Sequence, residues 1–174
     1  MKHRSIDALA IVATLAILPG CTTYTLAQPT EPPIAAFGPS STKAATVCVV
    51  RPSHWALAAT FVVHDGTQLV GATKGESYFC YLAEPGPHRI VASRGDGTDE
   101  TAQIGLHAQA GRRYWLHLDF DRDFGTQLEW LDEDRAHPLV ESCDYKELVD
   151  APDGEEAPEG VPYARAQPSP RLIW

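Results

Sequence analysis

The chain has 174 residues, with 14 Lys and Arg against 23 Asp and Glu, a net charge of −9 at neutral pH. So acidic a chain excludes a partner held through phosphate contacts, whether nucleic acid or an anionic lipid surface, because such contacts need clustered Lys and Arg. Four cysteines with no CxxC pair exclude a thioredoxin-type centre and the usual zinc knuckle.

Met1-Lys2-His3-Arg4 is a short basic start, and the apolar run from Ala8 to Leu18 follows it. That run is about 11 residues, against the roughly 20 that a bilayer-spanning helix needs, so residues 1–20 are expected to be a secretory signal peptide. Leu18-Pro19-Gly20-Cys21 resembles the bacterial lipobox, with Leu at −3 and Gly at −1 before the acceptor Cys. The resemblance implies a lipoprotein signal peptide, lipidation of Cys21 and anchoring to the membrane without a transmembrane helix. Thr22 in place of Asp implies the outer membrane, facing the periplasm. Removing Lys2, Arg4 and Asp7 leaves 12 basic and 22 acidic residues, a net charge of −10.

Residues 21–45 carry Pro29, Pro32, Pro33 and Pro39 among Thr, Ser and Ala, with neither helical nor strand period. They are expected to form a tether that holds a folded domain off the membrane. From Thr46 the pattern changes to short apolar runs between turn signals. "TVCVVRP" reads as a strand that stops at Arg51-Pro52, and "TFVVHDGTQLVGAT" as a hairpin about Asp65-Gly66. "ESYFCYLAEPGPHRIVAS" reads as two strands about Pro85-Gly86, and "RGDGTDE" as a polar loop. "TAQIGLHA" alternates Ala102, Ile104 and Leu106 on one face. "RRYWLHLDF" sets Tyr114, Leu116, Leu118 and Phe120 against Trp115, His117 and Asp119, and "TQLEWL" is the last strand. "EDRAHPLVESCDYKELV" is expected to be a helix starting at Pro138. Residues 150–174, acidic and Pro-rich, are expected to be a disordered tail. The fold expected is all-β, an antiparallel β-sandwich of seven to eight strands over residues 46–149, with a short C-terminal helix and disordered tails.

The stretch from Thr46 to Leu148 resembles a bacterial lipoprotein family that carries a domain of unknown function. The residues concerned are "VCVVRPS", "FVVHDGTQLVGATKGESYFCYLAEPGPHRIVAS" and "GRRYWLHL". The resemblance implies a small transthyretin-type sandwich and an envelope location. It supplies no catalytic or ligand residues.

Asp119, Asp121 and Asp123 alternate, a spacing that suits a hard cation wanting several converging oxygens. Gly125 and Glu129 fall out of step with a calcium loop, and the flanks read as strands, so no metal is assigned. No cofactor is expected. His107 and His117 lie on neighbouring expected strands without a third ligand, and His88 is expected to bond locally at its turn. No GxSxG elbow and no Cys in a His/Asn context occur, so the protein is expected not to be an enzyme. Trp55, Trp115 and Trp130 could each pack or offer a stacking surface. Trp115 is the expected contact residue, since it shares the face of His117 and Asp119. After Cys48, Cys80 and Cys143, three single pairings stay open. The terminal "PRLIW" is weighed as a peptide for a sheet-edge groove. The function expected is a non-catalytic binding or structural module of the envelope, with a protein partner there. A glycan- or cation-binding module using Trp115 and the aspartates is the alternative, and a hydrolase assembled across loops is the third reading.

Overall fold

The computed structural model describes residues 23–30, 43–95, 101–120 and 125–152. They form an all-β domain with one short helix. In chain order the elements are β1 (Thr25–Ala27), β2 (Ala45–Arg51), β3 (Thr60–Asp65), β4 (Gln68–Lys74), β5 (Ser77–Ala83) and β6 (Gly86–Arg94). There follow β7 (Thr101–Ala108), β8 (Arg113–Phe120), β9 (Thr126–Leu131), α1 (Glu133–Glu141), β10 (Asp144–Tyr145) and β11 (Glu147–Asp150).

The eleven strands among the described residues lie in three sheets, ordered β4-β3-β6-β7, β10-β5-β2-β8-β9 and β1-β11. The first is antiparallel throughout. The five-stranded sheet is mixed, because β2 pairs in parallel with β8, and β5 with β10. This corrects the wholly antiparallel expectation. β8 enters beside β2 only after the chain has built β6 and β7 in the other sheet, and that long crossover delivers it in the parallel sense. The β3–β4 hairpin forms where Asp65-Gly66 predicted it, with Gly66 at φ 64°.

Two large sheets share one core. Phe61 of β3 meets Phe120 of β8 edge to face at 4.8 Å, among the fully buried Val47, Val49, Val63, Ile90, Leu116 and Leu118. Each such aliphatic side chain contributes about 1.5–3 kcal/mol by leaving water. Gly71 lies directly beneath the Phe79 ring, where a Cβ would overlap it.

The other face of the five-stranded sheet is also covered. Register sets Cys48 opposite both Cys80 and Trp115, on the side turned away from Leu116 and Leu118. α1 lies over β2 and β8 there and buries Ala136 and Val140. Cys48 and Cys80 form a disulfide with their Cα atoms 4.0 Å apart, and Cys143 is a free thiol. That settles the pairing left open by the sequence.

The helix starts earlier than expected. Asp132 caps it by accepting from the Arg135 N–H at 2.9 Å, Glu133 and Asp134 occupy the first turn, and Pro138 sits inside. A cap plus acidic residues at the positive end outweighs one lost hydrogen bond. Leu148 belongs to β11 rather than to the helix.

The N-terminal segment is not wholly a tether. β1 pairs antiparallel with β11, and Tyr24 and Leu26 pack on Val62, Leu69, Ala72 and Leu148, on the outer side of the four-stranded sheet. Residues 31–42 and the tail from 153 lie outside the described residues.

Candidate functional site

β2 ends at Arg51-Pro52, and the chain then loops to β3 over residues 52–59. Arg51 is fully buried. Its Nη2 donates to Trp55 O at 2.7 Å and Ala56 O at 3.0 Å. Its Nη1 donates to Gly75 O at 3.3 Å and Ala59 O at 3.4 Å. The guanidinium carbon Cζ lies 4.9 Å from the centroid of the Phe61 ring and 5.3 Å from that of Phe120, a cation–π setting on both. Burial pushes its pKa below the ordinary range, and the negative charge of Asp119 acts in the opposite direction. A guanidinium keeps its proton in proteins, so Arg51 is a fixed buried cation held by backbone carbonyls.

Three of those carbonyls, of Trp55, Ala56 and Ala59, belong to the loop, and Gly75 lies in the turn between β4 and β5. Ala56 has φ 51°, in the left-handed region that costs a non-glycine residue about 1–2 kcal/mol. It is kept there by the bond from Arg51 and by the Ala59 N–H, which donates to Ala56 O at 2.9 Å. The loop therefore has a defined shape, and at its crest Trp55 is 74% and Leu57 55% exposed. Beside them His54 Nδ1 lies 2.9 Å from a Glu76 carboxylate oxygen. A rigid loop that displays an indole and an isobutyl group in water can contact a ligand without being ordered first.

Of the residues singled out from sequence, Trp115, His117 and Asp119 alternate along β8. Trp115 is 3% exposed. The alternation along β8 is as expected, but the face opposite Leu116 and Leu118 is covered by α1 rather than open to solvent. His117 is partly exposed, with Nε2 3.9 Å from Asp119 Oδ2. Asp119 Oδ1 accepts from the Phe120 N–H at 2.8 Å, and its charge bears on Arg51. Asp121, Asp123 and Cys21 lie outside the described residues. Among the described residues no three or more His, Cys, Asp or Glu side chains converge as a metal site. Trp130 lies at the seam between the sheets. It donates Nε1–H to Gly105 O on β7 at 3.1 Å, next to Tyr114, so one outer carbonyl of that edge strand is capped by a side chain.

A second polar cluster ties the two sheets together. Asp65 Oδ2 accepts from Tyr81 Oη at 3.2 Å and faces His88 Nδ1 at 2.7 Å, while His88 Nε2 lies 2.7 Å from Glu84 O. Burial foremost, then the Asp65 charge and hydrogen bond, raises the Tyr81 phenol far above its usual range. His88 thus bonds at its turn, as read from sequence, and also across to β3.

Arg51 and Trp55 were missed as a unit, because nothing local in "RPSHWALAA" marks an arginine that turns back to bind its own loop. The available signal was an apolar Trp-Ala-Leu in a loop between two strands. No family model, curated protein or solved structure matches the chain.

Proposed function

We propose that the protein is a lipid-anchored lipoprotein of the bacterial envelope, held at the outer membrane through Cys21 and facing the periplasm. Its β-sandwich acts as a non-catalytic binding module through the loop of residues 52–59. The resemblance in "LPGC" supports the anchor. The observation that carries the binding role is Trp55, the most exposed large apolar side chain among the described residues, on a loop held by three guanidinium hydrogen bonds, with a fourth to Gly75. Metabolic labelling with a clickable fatty acid tests the anchor. Label is expected on the native protein and lost in Cys21→Ser, and an unlabelled native protein would remove the anchor.

The glycan alternative is favoured by one feature of the same loop. An exposed indole beside the Glu76 carboxylate and His54 offers a stacking face with polar groups at its edge. A thermal shift with envelope glycans that is absent in Trp55→Ala would support that version.

A further inference from the structure

We propose that the Trp55–Leu57 loop is a second contact with the membrane, an interfacial foot that seats the domain on a zwitterionic phospholipid surface beside the acyl anchor. The proposal rests on the lipoprotein reading and names the partner of the loop. Its first support is the path of the chain. β1 begins at Thr25, four positions after Cys21. A Cβ added at Gly95 would come within 3.0 Å of two ring atoms of Tyr24 and 3.3 Å of Val62. The Gly95 N–H donates to Thr60 O at 2.9 Å. Tyr24 is therefore at the end of the four-stranded sheet where β3 starts and β6 stops, the end to which residues 52–59 lead. Three residue steps separate Tyr24 from Cys21, a reach of at most about 11 Å. An acyl chain on Cys21 would hold this end of the domain against the headgroups, in place of a domain held off on a long tether.

The second support is what that end displays. Trp55 and Leu57 are the two most exposed large apolar side chains among the described residues. An indole has an apolar body and a polar N–H, which suits the boundary between headgroup and acyl chain. The charges around them are mixed. Lys146 Nζ donates to Lys74 O at 2.9 Å, the Asp144 N–H donates to Glu76 O at 3.1 Å, and Glu76 pairs with His54. Both signs near an apolar tip fit a zwitterionic headgroup, whereas the acidic chain as a whole is repelled by an anionic one. Two side chains give little membrane affinity alone, so the foot orients a domain that the lipid recruits.

The test uses the acylated full-length protein in phosphatidylcholine vesicles, with and without bromine on the acyl chains, and reads tryptophan emission and vesicle flotation. Bromolipid is expected to reduce the emission, and Trp55→Phe, whose ring is far from the core, is expected to abolish that loss while still floating. Cys21→Ser is expected not to float. If the acylated protein floats but its emission is unchanged by bromine, or if Trp55→Phe is quenched as strongly as the native protein, the foot is wrong and the anchor stands. If the native protein carries no lipid and does not float, both fail. Where the acylated protein floats, full quenching of Trp55 by soluble acrylamide would place the indole in water and overturn the foot.

Discussion

Replacing Arg51 by Met asks whether one guanidinium shapes the loop. Met keeps an unbranched apolar stem for the space beside the Phe61 and Phe120 rings but removes every donor. Four carbonyls lose their partner. The Gly75 carbonyl is in the buried bond, and an orphaned buried acceptor costs about 1–3 kcal/mol. The other three bonds are partly buried, so water can reach Trp55 O, Ala56 O and Ala59 O, and each loss costs roughly 0.5 kcal/mol or more. Against this, the desolvation of a buried cation is relieved, which in some proteins makes an apolar replacement neutral. Here the acceptors are fixed backbone groups that cannot be replaced in turn, so the net loss is expected to be about 2–4 kcal/mol. Chemical denaturation measures it, and hydrogen exchange read at residues 53–59 and 75–77 localises it. Exchange there should quicken by more than in β2 and β8. Unchanged stability together with unchanged exchange in the loop would refute a guanidinium-shaped loop. Arg51→Lys should rescue only in part, since a compact ammonium has three donors for four carbonyls.

Reducing or deleting the Cys48–Cys80 disulfide, as Cys48→Ala with Cys80→Ala, should lower stability by about 3–4 kcal/mol. That follows from the chain-entropy relation for a closed loop of 32 residues' separation, and denaturant titration checks it. Burial pushes the Cys143 thiol up to about 11 from near 9. Its thiolate fraction at pH 8 should be roughly a hundredfold lower than in the unfolded chain, seen as slow native labelling by a thiol reagent that denaturant restores. A raised folded value favours the protonated thiol. Its contribution to stability is therefore complete below about pH 9 and lost as pH rises through about 11. Gly71→Ala places a methyl group against the Phe79 ring and should cost about 1–3 kcal/mol by overpacking; an unchanged melting temperature would show that Phe79 moves aside without penalty.

Most strands were legible because their signals are local. Alternating residues in "RRYWLHLDF", the Asp-Gly turn and the Pro-Gly break each act over a few residues, and β3, β4, β5, β6, β8 and β9 follow them. What was not legible depends on distant chain. The parallel β2–β8 pairing depends on where the crossover returns. Trp115 sits on the face its period assigns, but α1 covers that face, so an alternating pattern could not give its exposure. β1 lies in a segment that Pro29 and its neighbours made look unstructured, because three residues gain strand geometry only from β11, more than 100 positions later. Cys48 and Cys80 had to be placed in register before their pairing could be chosen. The candidate site was the least legible of all, since Arg51 acts through backbone carbonyls that carry no residue signature.

The most direct measurement compares Trp55→Ala with the native protein for stability and for what the loop contacts. With 74% of its surface in solvent, Trp55 contributes little to folding, so the melting temperature should stay within about 2 °C, the shift of under 0.5 kcal/mol expected for a surface site. Bromolipid quenching, or cross-linking to an envelope partner from this position, should disappear. A fall of many degrees in melting temperature would make Trp55 a structural residue, and a native level of quenching or cross-linking in the variant would contradict the loop as the contact site.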